Sequence, residues 1–97
     1  MTLALDDIAN ALTISPEALQ RRSLLAYFER ERRLANLDIA DIQDRYNAQT
    51  PKELASKIEQ GSIHAHPAWE DLIEWEHLEQ YLMQLAQWEV EIEGRHV

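Results

Sequence analysis

From Glu17 to Thr50 the chain contains neither glycine nor proline. Glycine and proline are the residues that most often punctuate regular structure, so a stretch this long without either must be read as one element. "SPEAL" supplies its start: Ser15 can cap, Pro16 suits the first turn, and Glu17 complements the helix dipole. Leu25, Phe28, Ala35, Ile39, Ile42 and Tyr46 then recur at steps of three and four or their sums, a heptad-like seam broken by Arg32. A second stripe, Tyr27, Leu34 and Leu37, lies on another side of the same helix. The spacing therefore predicts a helix over 15–47, far longer than the ~11–12 residues usual in globular domains. Two apolar sides need two packing partners. The chain itself can supply one, and a second copy the other.

The remaining punctuation is Ser15-Pro16, Thr50-Pro51, Gly61 and Pro67. Residues 1–14 form a short N-terminal element, a helix in which Ile8, Ala11 and Leu12 share a face, with a strand at 2–5 as the alternative. Residues 51–60 form a short helix with Thr50 as N-cap, Glu53 at the capping-box position, and Gly61 as the stop. Residues 67–93 form a second long helix, with Trp75, Leu78, Tyr81, Leu82, Leu85, Trp88 and Ile92 along one broad stripe. The expected fold is all-α, one domain over 1–97. Two long helices pair as a hairpin joined by a short connecting helix. Leu78, Leu82 and Leu85 meet the seam of the first long helix, and the hairpin dimerises into a four-helix arrangement. A chain of 97 residues buries only a modest core, so a subunit interface would help complete it.

Charge narrows the function. The net charge is −9, unevenly distributed. Residues 1–47 hold eight acids and six bases, whereas residues 48–97 hold ten acids and three bases. From His66 to Glu93 there are eight acids and no Lys or Arg. Such a surface repels phosphate backbones and attracts basic protein. The absence of cysteine removes disulfides, thiolate metal sites and cysteine nucleophiles, and fits a reducing cytoplasm. Asp6 and Asp7 stand where a secretory signal would carry basic residues, and no apolar run reaches the roughly 20 residues that span a bilayer.

"PAWEDLIEWE", residues 67–76, concentrates two of the three tryptophans with four carboxylates. At 100° per residue, Trp69 and Ile73 point nearly opposite Leu78 and Leu85, with Leu72 beside them. Trp69, Leu72, Ile73 and Trp75 then read as anchors for a partner, with Glu70, Asp71, Glu74 and Glu76 as a charged rim, the usual anatomy of a hot spot. The competing reading is that a bend after "HAHP" turns these residues inward to cap the core, since aromatic residues are core more often than site.

Other motifs carry less. "LDDIANALTISPEALQRR" has the rhythm of a helix-turn-helix, with Thr13 where a turn glycine is common and Arg21 and Arg22 facing any phosphates, but its acids oppose DNA. Glu74 and His77 form Glu-x-x-His, a spacing used by di-iron bundles, and Glu29 or Glu31 could complete it. A single such motif is expected by chance in an acidic helix. His64 and His66 lack a third ligand of fixed geometry. Ser15, Ser23, Ser56 and Ser62 each have a capping, helix-surface or loop explanation, and no glycine-rich phosphate loop exists. No catalytic residue, metal ligand set or cofactor is therefore assigned. The basic run Arg21, Arg22, Arg30, Arg32 and Arg33 is interleaved with Glu29 and Glu31. It reads as a solvated, ion-paired face, with Arg32 able to specify a register against a second copy.

The order of "SPEALQRRSLLAYFERERRLANLDIADIQDRY", "TPKELASKIEQGSI" and "HPAWEDLIEWEHLE", spanning residues 15–79, resembles small antitoxin-type proteins of prokaryotic toxin–antitoxin operons. The resemblance implies a non-catalytic cytoplasmic protein that neutralises a basic toxin, with operator binding through residues 1–22. It departs from antitoxins whose toxin-binding tail is disordered, because here the C-terminal half reads as strongly helical.

Overall fold

A computed structural model describes residues 4–94 as four helices: α1, Leu5–Leu12; α2, Pro16–Tyr46; α3, Pro51–Glu59; and α4, Ala65–Gly94. The fold is all-α, with no strand among the described residues. Of the proposed strand at 2–5, Met1–Leu3 lie outside the described residues, Ala4 is the extended N-cap, and Leu5 opens α1. The 31 residues of α2 make a rod of roughly 46 Å.

Local chemistry sets the ends of these helices. Ser15 Oγ accepts from the Ala18 amide and Thr50 Oγ1 from the Glu53 amide, both at 3.1 Å, satisfying N–H groups that lack helical partners. The expected capping box at Thr50 takes a shifted form. Glu53 accepts from the Gln49 amide at 2.8 Å, one residue before the cap itself. Three helices end on residues in the left-handed region: Thr13 (φ 61°), Asn47 (φ 50°) and Gly61 (φ 74°). After each, the next amide reaches back to close the turn, Ile14 to the Ala9 carbonyl, Ala48 to Gln43 and Ser62 to Lys57, all at 3.1 Å. These are Schellman-type closures, and only one of the three uses glycine.

Pro67 interrupts the start of α4. Its predecessor His66 is extended (φ −119°, ψ 123°), as the proline ring requires, so the continuous rod runs from Pro67.

α2 and α4 pack antiparallel, with α3 laid across the closed end of the hairpin. Ile39 and Ile42 of α2, Ala48 of the turn, Leu54 of α3, and Leu72 and Trp75 of α4 form one buried cluster. Tyr46, Ile58, Ile63, Leu78 and Leu82 pack on its margins. Farther along the rods, Phe28, Ala35 and Leu85 are buried, and the Phe28 and Trp88 rings sit 5.9 Å apart. Leu25 is half-buried. The seam residues expected from periodicity are thus the hairpin seam. Burying a side chain such as Leu54 or Leu85 contributes about 1.5–3 kcal/mol.

Polar contacts at three levels tie the long helices together along their length. At the closed end Tyr46 donates its hydroxyl to Asp71, and Arg45 reaches the same oxygen at 2.8 Å. Near the middle Tyr81 donates to Glu31 at 2.5 Å. Toward the open end Arg32 pairs with Glu89. Arg32, expected to specify a register against a second copy, is instead paired within its own chain, because the antiparallel hairpin brings an acid opposite it. At the α2 terminus, Lys57 Nζ of α3 donates to the Tyr46 and Asn47 carbonyls at 3.0 and 2.7 Å, placing a cation where carbonyls are left without amide partners.

The molecule is a layer rather than a ball. Its extents are 60 × 33 × 16 Å and its radius of gyration is 19.4 Å, against about 12–13 Å for a compact chain of this length.

Candidate functional site

The stretch Pro67–Glu76 divides between core and surface. Trp75 and Leu72 are 1% and 4% exposed and belong to the central cluster. They cannot anchor a partner as proposed from the sequence. α3 crosses the hairpin here and covers the side of α4 on which both lie. Asp71 is also removed from the expected rim: its carboxylate is half-buried and engaged by Tyr46 and Arg45. Burial and the carboxylate bond raise the Tyr46 phenol above its ordinary pKa, holding it as the neutral donor.

Trp69 and Ile73 behave otherwise. They are 53% and 40% exposed on a side of α4 turned away from the hairpin core. Glu70, Glu74 and Glu76 are exposed around them, and Glu70 also meets His66 Nδ1 at 2.8 Å. The same side continues down the helix. Positions 69, 73, 76, 80, 83, 87 and 90 alternate steps of four and three, a spacing that keeps one face in line. Met83 and Val90 on this line are 73% and 71% exposed. Sequence reasoning missed them because Glu76, Gln80 and Gln87 interrupt the apolar pattern, while the core stripe dominates the same segment.

The remaining motifs are not brought together. Glu74 and His77 are both exposed, Glu29 is exposed on α2, and Glu31 is committed to Tyr81. Among the described residues there is no group of three or more His, Cys, Asp and Glu side chains placed to hold a metal ion. His64 and His66 are exposed in the segment leading into α4. α1 and α2 do form a helix–turn–helix around Thr13, and Asp6 and Asp7 lie in the first turn of α1. The other short helix, α3, packs at the far end of α2 rather than bracing this unit. A shallow flute of about 380 Å³ runs beside Glu29, Arg32, Arg33, Asn36 and Leu37. All five belong to α2, so it is relief on one helix and not an enclosed substrate cavity. No helix among the described residues is long and apolar enough to cross a membrane.

A family model described as "Uncharacterized protein MJ0235 family" matches residues 1–96. The chain belongs to the MJ0235 family. That match covers all four helices, so the hairpin, the crossing α3 and the exposed side of α4 all fall within the MJ0235 unit. No curated protein and no solved structure matches the chain.

Proposed function

We propose that this MJ0235-family chain is a non-catalytic protein-binding module whose acidic α4 docks a basic partner. One observation carries the reading: Trp69 remains more than half exposed within a helix that has no Lys or Arg from Pro67 to Glu93. An exposed tryptophan offers a large apolar anchor, and Ile73 extends it. Glu70, Glu74 and Glu76 supply the field that draws in and orients a cationic surface. The resemblance to antitoxin-type proteins makes that partner a basic toxin, neutralised in the cytoplasm by a folded acidic helix acting from a homodimer.

The test is capture of a partner from lysate of the source cells by immobilised full-length protein, at low and at raised salt. A basic protein retained by the wild type should be lost with Trp69→Ala and weakened by salt, while the helical signal of the variant is unchanged. Retention of the same protein by Trp69→Ala would sink the proposal, as would unfolding of that variant.

A further inference from the structure

We propose that the outer side of α2 is a self-association face, along which two copies pair antiparallel about a two-fold axis passing between Leu34 and Leu37. This deepens the proposed homodimer by naming its face, which is separate from the Trp69 side of α4.

Tyr27, Leu34 and Leu37 are 52%, 43% and 60% exposed. At 100° per residue they share one side of α2 with Arg30 and Asp41, roughly opposite the buried Phe28, Ala35 and Ile39. The order of charge along this side is the decisive feature. Arg30 stands four residues before Leu34, and Asp41 four residues after Leu37. Arg33 lies in the basic half, and Asp38 and Asp44 in the acidic half. None of Arg30, Arg33, Asp38 and Asp41 makes an ion pair within the chain among the described residues.

A second α2 running the opposite way about an axis between Leu34 and Leu37 places each leucine against the other's counterpart. It also lays Arg30 of each copy over Asp41 of the other, so the attractive pair forms twice. A two-fold interface is self-complementary in this sense. The parallel alternative puts Arg30 over Arg30 and Asp41 over Asp41, which is repulsive at both ends. The charge pattern thus selects both the occupant and its direction.

The chain also leaves more surface exposed than a compact fold would. The chain exposes 7247 Å², whereas a compact monomer of 11.3 kDa exposes about 5,700 Å². That excess of about 1,500 Å² is spread over a flat molecule, and an interface of standard size takes ~800 Å² from each partner.

Sedimentation of the full-length chain over a concentration series tests the proposal. The wild type should approach twice the 11.3 kDa chain mass. Arg30→Asp and Asp41→Arg should each weaken the dimer about tenfold or more, because each turns two attractive contacts repulsive. The double variant R30D/D41R should recover to within a few-fold of wild type. Leu37→Lys, at an exposed position, should also give monomer with unchanged helical signal. A wild type that stays at the chain mass at every concentration overturns the proposal. So does a dimer unmoved by Leu37→Lys or by both single swaps, or one broken by the swaps and not restored by their combination. Trp69→Ala should leave the dimer intact, so loss of partner capture and loss of self-association are separately visible.

Discussion

The Tyr81 hydroxyl of α4 donates to a carboxylate oxygen of Glu31 on α2 at 2.5 Å, joining residues fifty positions apart across the hairpin. The bond requires the neutral phenol. Accordingly the hydrogen bond to Glu31, with some burial, pushes the Tyr81 pKa from 10.0 up to about 12. A pKa raised on folding means that the native state holds the proton more tightly. The contribution to stability is complete below pH 10 and is lost as pH rises toward 12.

Wild-type stability should therefore fall between about pH 10 and pH 12 more steeply than that of Tyr81→Phe, which lacks the titrating group. At neutral pH the same variant should cost about 1–2 kcal/mol, since a bond to a charged acceptor is lost. Thermal unfolding followed by circular dichroism reads both effects. Equal pH profiles for the two proteins would show that the hydroxyl contributes nothing to the hairpin.

The two tryptophans of "PAWEDLIEWE" should respond oppositely to truncation. Trp75→Ala removes a ring that is 1% exposed at the centre of the cluster and should cost about 3–5 kcal/mol. That is a large share of the roughly 5–15 kcal/mol that stabilises a small domain. Trp69→Ala, at 53% exposure, should change stability by no more than about 0.5 kcal/mol. Denaturant midpoints compare them directly, and similar losses for both would contradict the division between core and surface.

Asp71 should behave as a structural residue and its neighbour Glu70 as a surface one. Asp71→Asn weakens contacts to both Tyr46 and Arg45 and should destabilise by about 1–2 kcal/mol. Glu70→Gln touches only the exposed His66 and should be near neutral. The pair can be ranked by urea unfolding at neutral pH; a neutral Asp71→Asn would return Asp71 to the candidate binding rim.

Lys57 offers a fourth check. Its ammonium caps the Tyr46 and Asn47 carbonyls, so Lys57→Met keeps most of the aliphatic stem while leaving the α2 terminus without its cation. A loss of about 1 kcal/mol is expected, with amides near residues 46–48 exchanging faster with solvent. Unchanged exchange there would show that water serves those carbonyls equally well.

Much of the architecture was legible from local chemistry. The Ser15, Thr50 and Gly61 signals mark helix ends because each satisfies backbone groups within a few residues of itself. Periodicity located Phe28, Ala35, Ile39, Ile42 and Leu85 on buried faces for a comparable reason: the helix repeat alone decides which side chains line up. The same arithmetic set Trp69 and Ile73 apart from Leu78 and Leu85.

What periodicity could not provide was the identity of the element covering each face. Leu72 and Trp75 looked available because they stand beside Trp69 and Ile73 at the start of a helix, Trp75 at the head of the main stripe, yet α3 and the end of α2 close over them. Asp71 looked like rim charge until the hairpin brought Tyr46 and Arg45 to it from the other rod. The sequence by itself determined that the chain makes two long amphipathic helices, the second of them acidic, and which side of each is apolar. Only the tertiary structure decided which apolar sides are spent on the core and which remain outside, because burial depends on the packing of segments far apart along the chain.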